Sequence, residues 1–291
     1  MSNTESSQPI VVGVDGSQDS LRAVDWAAAE ADRHDWPIKL VHAYQRAVTA
    51  LPAVAVKLPA PVEEAAKYLS EARDRVVAKY PSVPVSVVHE EGQTPRVLLK
   101  ESEQARLLVV GREGLNRMTE MVLGSVSLAC ATHSKTPVAV IPAAWDAPAE
   151  PYGRIVVGVD GSENCEGAVQ YAFEAAAERD AELIVLRAWG LPTRWSEGWP
   201  AELSKERIEA EIDSELSEWL SSWRDKYPNV SVRAVTEYAQ PAMALAKYAD
   251  TTDQVVIGGR GHGVVTGALL GSQARAILRH VAAPIVVVHQ M

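Results

Sequence analysis

The stretch "PIVVGVDGSQDSLRAVDWAAAEA", from Pro9 to Ala31, reads as a β-strand that turns into a helix, and it occurs twice in the chain. Its second copy, "RIVVGVDGSENCEGAVQYAFEAA", runs from Arg154 to Ala176. Asp15 and Asp160 hold the same place in the two copies, at an offset of 160 − 15 = 145 residues. Such a long period predicts two tandem domains of one design, since the repeats of solenoid proteins are much shorter.

The correspondence extends to the last strand of each half. "TPVAVIP" (residues 136–142) is matched by "APIVVVH" (residues 283–289), with the prolines at an offset of 284 − 137 = 147. Between the halves, "AAWDAPAEPYG" (residues 143–153) is rich in Ala and Pro and has no apolar periodicity, which is typical of a linker. We therefore expect one domain over residues 1–146 and a second over residues 152–291.

Within each half, short β-branched runs alternate with helical patterns. The runs of the first half are "IVVGV", "IKLVHAY", "VPVSVVH", "RLLVVG" and "PVAVI". They are almost continuously apolar, as in strands that are buried on both faces of a parallel sheet. The pattern predicts an α/β fold with two tandem Rossmann-like or flavodoxin-like domains. Each would have a five-stranded parallel sheet in the order 3-2-1-4-5, with helices on both faces.

The composition limits the classes of partner. The chain has 291 residues, of which 47% are hydrophobic and 23% charged, and a net charge of −10. This charge disfavours sequence-independent binding to nucleic acid or to anionic membranes. The start "MSNTESSQP" lacks the layout of a signal peptide, and no apolar run reaches the ~20 residues of a membrane helix. We therefore expect a cytoplasmic protein that binds neither nucleic acid nor membrane.

A glycine pattern follows the fourth predicted strand of each half. "VVGREGLNRMTEMVLGS" (residues 109–125) and "VIGGRGHGVVTGALLGS" (residues 256–272) share the spacing G-x2-G-x9-G-S. Glycines permit tight turns, and the Gly-Ser pair is placed to open a helix whose first N–H groups bind phosphate. The pattern is neither a Walker A loop nor a G-x-G-x-x-G turn. It predicts a phosphate site at the strand ends, next to Asp15.

The "VVGVDGS" opening strand, the glycine loop after the fourth strand and the tandem layout resemble the universal stress protein family, in its ATP-binding branch. The resemblance covers nearly the whole chain, in two copies. It implies that ATP is the ligand and an adenine nucleotide the partner, with Mg²⁺ as a candidate companion of the phosphates. It further implies a homodimer, in which the two halves of each chain pair through their last strands as a pseudo-twofold unit.

By position, the resemblance assigns Asp15 to the adenosine and the backbone of Val41 to adenine. It assigns the ribose and phosphates to Gly111, Arg112, Gly114, Gly124, Ser125, Val126 and Ser127. The matching positions of the second half are Asp160, Leu186, Gly258, Gly259, Gly261, Gly271, Ser272, Gln273 and Ala274. No residue is assigned to catalysis or to a metal. Since Ala274 lacks the hydroxyl that Ser127 could donate to a phosphate, we expect the first site to bind more tightly.

Other interpretations remain open at this stage. The preferred function is that of a nucleotide-dependent regulator in the stress response, and the alternative is a slow ATPase or adenine-nucleotide hydrolase. Catalysis would need a positioned base and charge compensation, and the two loops carry unequal sets of candidates. A purely structural dimerising module is a third option. Asp15 and Asp160 could also be simple turn formers, and the glycine loops could be tight turns that bind nothing.

Overall fold

A computed structural model of the chain describes residues 8–45, 48–51, 54–57, 62–114, 123–190, 204–259 and 270–289. The chain divides into two compact units, Met1–Ala147 and Pro148–Met291. Each unit contains one parallel sheet with helices between its strands.

The first unit alternates strands and helices, with one short antiparallel hairpin, β3 and β4, after the second strand. Its elements are β1 (Ile10–Gly13), α1 (Gln18–His34), β2 (Ile38–Tyr44), β3 (Val48–Leu51), β4 (Val54–Lys57), α2 (Val62–Lys79), β5 (Val85–Glu91), α3 (Thr94–Ser102), β6 (Leu107–Gly111), α4 (Ser125–His133) and β7 (Val138–Ile141). The sequence pattern did not predict the hairpin.

The second unit repeats the alternation, and its described residues include short 3-10 turns at Glu163–Cys165 and Ala249–Thr251. Its elements are β8 (Arg154–Val159), α5 (Glu166–Arg179), β9 (Glu182–Trp189), α6 (Lys205–Lys226), β10 (Val232–Tyr238), α7 (Pro241–Ala246), β11 (Gln254–Gly258), α8 (Ser272–His280) and β12 (Ile285–Val288).

The strand pairing is the same in both units. In the first, β1 pairs in parallel with β2 and β6, β5 lies beyond β2, and β7 lies beyond β6. In the second, β8 lies between β9 and β11, with β10 and β12 outside them. Numbered along each unit, the strands of the parallel sheet follow the order 3-2-1-4-5. The predicted α/β class is confirmed.

The central strand of each sheet is covered on both faces. Ile10, Val11 and Val12 of β1 are fully buried, because α1 and α3 both contact this strand. Right-handed crossovers place α1 and α2 on one face, and the return of the chain from β5 to β6 places α3 on the other. The winding therefore reverses between β1 and β6, and a crevice opens at the carboxyl ends of these two strands.

One buried polar side chain breaks the apolar pattern of the second sheet. Gln254 opens β11 and is 1% exposed, and its amide atoms Nε2 and Oε1 have no hydrogen-bond partner within the described residues. The matching position of the first sheet, at an offset of 254 − 107 = 147, is the buried Leu107. Gln254 pairs in register with Ile155, and Leu107 pairs with Ile10. The two environments are thus alike, and only the amide differs.

Replacing this amide by a hydrocarbon should stabilise the second unit. Gln254→Leu removes unpaired buried polar atoms, whose cost is about 1–3 kcal/mol, and should raise the unfolding midpoint in thermal calorimetry. The reciprocal Leu107→Gln should lower it. A lower midpoint for Gln254→Leu would show that the amide is stabilised by its surroundings.

Candidate functional site

The turn that follows β1 is built around the carboxylate of Asp15. Ser17 donates its backbone N–H to Asp15 Oδ1 at 2.9 Å, and Gly16 between them has a φ of +83°. The second unit repeats the turn, since Ser162 donates both its N–H (3.0 Å) and its hydroxyl (2.7 Å) to Asp160 Oδ1. Both aspartates therefore form turns, as one of the alternatives predicted.

The other carboxylate oxygen of Asp15 faces the glycine loop. A Cβ placed on Gly114 would lie 3.1 Å from Asp15 Oδ2. A side chain at position 114 would thus fill the space in front of the carboxylate. The turn and the glycine loop meet at this point, as the sheet order predicted. Gly261, the matching position of the second loop, lies outside the described residues.

A backbone hydrogen bond joins the two described ends of each glycine loop. Gly124 donates its N–H to the carbonyl of Arg112 at 2.9 Å, and Gly271 donates to the carbonyl of Gly259 at 3.1 Å. The residue after each fourth strand is also tied to the fifth strand, because Arg112 donates to the Ile141 carbonyl at 2.8 Å. The loop leaves the sheet and returns to the same place. A Cβ on Gly124 would lie 3.0 Å from the Arg112 carbonyl oxygen, so the closure favours glycine at this position.

The closed loops bring helix N-termini to the strand ends. α4 begins at Ser125 after the cap residue Gly124, and the first intrahelical bond runs from Leu128 N–H to the Gly124 carbonyl at 2.9 Å. The earlier N–H groups of such a helix have no acceptor within it. These groups belong to Ser125, Val126 and Ser127, and in α8 to Ser272, Gln273 and Ala274. A helix start of this kind binds anions through N–H groups and the helix dipole.

The hydroxyl of Ser127 has a different role from the predicted one. It is buried and lies 2.8 Å from the Arg112 carbonyl and 2.9 Å from the Gly124 carbonyl. Its one proton is donated inward, so the side chain anchors the loop and is not placed as a phosphate donor. Only its backbone N–H belongs to the helix start. In the second unit, Ala274 provides no such anchor.

Gly111 is required by close packing at the end of β6. A Cβ there would lie 2.8 Å from the backbone carbon of Asp19 in α1. Asp19 is 1% exposed, and its Oδ2 accepts the N–H of Glu113 at 3.3 Å. The sequence pattern did not single out Asp19, since an acidic residue in a first helical turn is usually exposed. The start of α1 and the glycine loop are therefore joined through a buried carboxylate.

The side chain of Arg112 is buried. Burial lowers the pKa of its guanidinium, while Glu113 and Asp19 act in the opposite direction. Its counterpart is Gly259, where an added Cβ would collide with the imidazole of His289. The two positions are alike only in their backbones.

Val41 does not offer its backbone to the crevice. Its carbonyl accepts the N–H of Val14 at 2.9 Å, and Val41 is 1% exposed. Leu186 is equally buried and pairs with Gly158. In a parallel sheet, alternate residues direct their backbone groups to the same neighbour. Ala43 is two residues after Val41, so its backbone groups point to the same side, but it lies beyond the end of β1. Its counterpart in the second unit is Ala188.

The wall beside the Asp15 turn is aromatic. A Cβ on Gly16 would collide with the ring of Tyr68, which projects from α2. The Tyr68 hydroxyl donates to Glu64 Oε1 at 2.7 Å, and this hydrogen bond raises the pKa of the phenol, with a further contribution from Asp15. The ring centroid of Tyr68 lies 5.8 Å from that of His42. His42 Nδ1 carries a proton, since it lies 2.7 Å from the Val14 carbonyl, which can only accept.

Two more rings extend this wall along β5 and β2. His89 lies 5.5 Å from His42 and 4.3 Å from Tyr44, measured between ring centroids. Burial lowers the pKa of His89, and the neighbouring His42 lowers it further. The wall is therefore made of two tyrosine and two histidine rings.

The corresponding wall of the second unit is charged. A Cβ on Gly161, whose φ is +80°, would lie 3.1 Å from Arg187 Nη2. Arg187 Nη1 lies 3.0 Å from Glu215 Oε2 of α6. A guanidinium and a carboxylate thus replace the rings beside the Asp160 turn.

The described ranges contain neither a membrane-spanning helix nor a cluster of metal ligands. No helix there is both long enough and apolar enough to cross a membrane. No group of three or more His, Cys, Asp and Glu side chains in those ranges has the arrangement of a metal site.

Comparison with known proteins places both units in one family. The profile described as "Universal stress protein family" matches residues 6–142 and 151–289. A universal stress protein of Mycolicibacterium smegmatis is 32% identical over 290 residues, which cover 96% of each chain. One of Mycobacterium tuberculosis H37Rv is 32% identical over 309 residues, covering 99% of this chain and 96% of its own.

A solved structure agrees at the level of the fold. The crystal structure of a universal stress protein from Archaeoglobus fulgidus superposes with a TM-score of 0.67 at 18% identity, and covers 97% of this chain and 96% of its own. With the sequence matches over nearly the full length, the chain belongs to the universal stress protein family.

Proposed function

We propose that each unit binds one adenine nucleotide, ATP, and that the protein is a nucleotide-dependent regulator in the stress response. The two nucleotide-binding domains would be residues 1–146 and 152–291. The observation that supports the proposal is the Gly124–Arg112 closure, which starts α4 at the end of β6, together with the approach of Gly114 in the same loop to the Asp15 carboxylate. The glycine spacing, which resembles that of ATP-binding family members, supports it.

The phosphates would lie on the helix starts. The residues proposed for the ribose and phosphates are Gly111, Arg112, Gly114, Gly124, Ser125, Val126 and Ser127 in the first unit, and Gly258, Gly259, Gly261, Gly271, Ser272, Gln273 and Ala274 in the second. Their backbone groups, and the space at the glycines, would hold the ligand. Backbone donors bind an anion at short range even in a chain with a net charge of −10. Mg²⁺ would accompany the phosphates.

The adenosine would lie between the ends of the first two strands. Asp15 and Asp160 would accept from its hydroxyl groups through the oxygen that faces away from the turn. We propose the backbones of Ala43 and Ala188, in place of Val41 and Leu186, as the groups that contact adenine. This change follows from the Val14–Val41 hydrogen bond.

Titration calorimetry with ATP should reveal two sites, each dependent on its aspartate. Asp15→Asn keeps an acceptor for the Ser17 N–H but removes the charge, and should weaken the first site about tenfold or more, since a charge-assisted hydrogen bond contributes about 1.5–3 kcal/mol. Asp160→Asn should do the same at the second site.

The matched control for these variants is Asp32→Ala, an exposed acidic residue at the far end of α1. It should leave the titration unchanged. A chain that binds no nucleotide, or binds it equally in the double Asp15→Asn/Asp160→Asn variant, would overturn the proposal.

The Ser127 anchor should make the first site the tighter one. Ser127→Ala removes one hydrogen bond that holds the loop, worth about 0.5–1.5 kcal/mol, and should weaken ATP at the first site about two- to tenfold. Ala274→Ser should strengthen the second site, since it adds an anchor to the Gly259 carbonyl. Unchanged affinities in both variants would show that the anchor has no part in binding.

Binding and hydrolysis are separated by two simpler measurements. Denaturing the purified protein and identifying the nucleotide released tests the ligand directly. Multiple-turnover hydrolysis that disappears in the Asp15→Asn/Asp160→Asn variant would favour the hydrolase alternative.

Assembly into a homodimer is a further proposal, from the apolar last strand of each half. The mass in solution, compared with 31.4 kDa for one chain, tests it.

A further inference from the structure

The two candidate sites differ most at one pair of positions. His42 corresponds to Arg187 at an offset of 187 − 42 = 145, and Tyr68 corresponds to Glu215 at 215 − 68 = 147. The second correspondence is supported by the next residues, Leu69 and Leu216, which are both buried against their sheets. Both members of the pair have thus changed together.

The changed residues occupy the same place in the two units. Tyr68 covers Gly16 in the first, and Arg187 covers Gly161 in the second. Both glycines follow the aspartate of the turn and have a positive φ. The pair therefore borders the carboxylate and the end of the second strand, where the nucleobase is proposed to lie.

In the first unit, one N–H of His42 and the hydroxyl proton of Tyr68 already have acceptors. His42 donates Nδ1–H to the Val14 carbonyl, and Tyr68 donates its hydroxyl proton to Glu64. What this wall presents to a base is the surface of its rings. Adenine can pack against such a surface, whereas O6 of guanine, an acceptor that stands where adenine has its amino group, would gain no donor from it. A buried acceptor that is left without a donor costs binding energy.

In the second unit, the pair carries both donors and an acceptor. The Arg187 side chain is 22% exposed. Its Nη1 lies 3.0 Å from Glu215 Oε2, and its Nη2 lies next to Gly161. A guanidinium presents a planar set of donors that matches O6 and N7 of guanine, and a carboxylate accepts from the N–H groups of that base. The Arg187–Glu215 pair is thus chemically suited to a base that the first wall would reject.

We propose that His42/Tyr68 and Arg187/Glu215 determine base specificity, so that the first site selects adenine nucleotides and the second also takes guanine nucleotides. The inference rests on the proposed function, since it concerns the ligand of the same crevices. It assigns a separate role to each half of the duplicated chain.

The test compares ATP and GTP at one site at a time in the full-length protein. Titration of the Asp160→Asn chain reports the first site, where ATP should bind about tenfold or more tightly than GTP. Titration of the Asp15→Asn chain reports the second site, where the two affinities should be similar. Arg187→His/Glu215→Tyr in the Asp15→Asn chain should raise the ATP-to-GTP affinity ratio about tenfold, and His42→Arg/Tyr68→Glu in the Asp160→Asn chain should lower it.

A single substitution provides a test that does not depend on the folding of the double variants. Arg187→Lys keeps the charge but loses the planar donors, and should weaken GTP more than ATP at the second site, so that the ATP-to-GTP affinity ratio there rises about tenfold. The matched control is Arg154→His. Arg154 forms an ion pair with Glu182 at 3.0 Å, at the opposite end of the same two strands, and its loss should not alter the ratio.

The outcomes distinguish this inference from the proposed function. Failure of the unmodified chain to bind ATP or GTP would overturn both. Nucleotide binding with the same ATP-to-GTP ratio at the two sites, or a ratio that neither Arg187→Lys nor the exchanged pairs alter, would overturn the specificity inference alone.

Discussion

The hydrogen bond from the Gly124 N–H to the Arg112 carbonyl is the contact on which the crevice depends. It returns the chain to the end of β6 after the glycine loop, so that α4 starts beside the strand it has just left. Gly111 makes this approach sterically feasible, because the backbone of Asp19 lies where its Cβ would be. The ends of β1 and β6 and the starts of α1 and α4 therefore pack around one point. The Gly271–Gly259 bond closes the second loop in the same way.

Much of the fold follows from local patterns in the sequence. Continuous Val and Ile runs such as that of β1 can be buried on both faces only in a covered parallel sheet, and Gly followed by Ser marked the starts of α4 and α8. The roles of the site residues were less predictable, because they depend on which groups a side chain reaches and on which neighbouring strand a backbone group faces. The sequence shows that Ser127 has a hydroxyl, but not that the Arg112 carbonyl lies within its reach. Likewise, the choice between Val41 and Ala43 as the backbone contact for adenine depends on knowing the residue at which β1 ends.

Duplication has preserved backbone features more closely than side chains. The turn after the first strand, its positive-φ glycine and the loop closure occur in both units. By contrast, Arg112 is matched by Gly259, Ser127 by Ala274, and His42 by Arg187. This is the expected pattern if main-chain groups bind the common part of the ligand, since a backbone donor survives any substitution that keeps the local geometry. Side chains around it are then free to diverge.

Each crevice has hydrogen-bond donors on one side and a carboxylate on the other. Donors come from helix starts on the side of the fourth strand, whereas the carboxylate of Asp15 or Asp160 lies on the side of the first. A carboxylate repels an anion and accepts from hydroxyl groups, so it does not belong next to a phosphate. A ligand that suits both sides must carry an anionic end and, a few ångströms away, a neutral part with hydroxyl donors. Inorganic phosphate lacks the second part and a nucleoside lacks the first, and a nucleotide has both. The turn-forming role of the aspartate is compatible with this arrangement, because Ser17 occupies only Oδ1 while Oδ2 faces the loop.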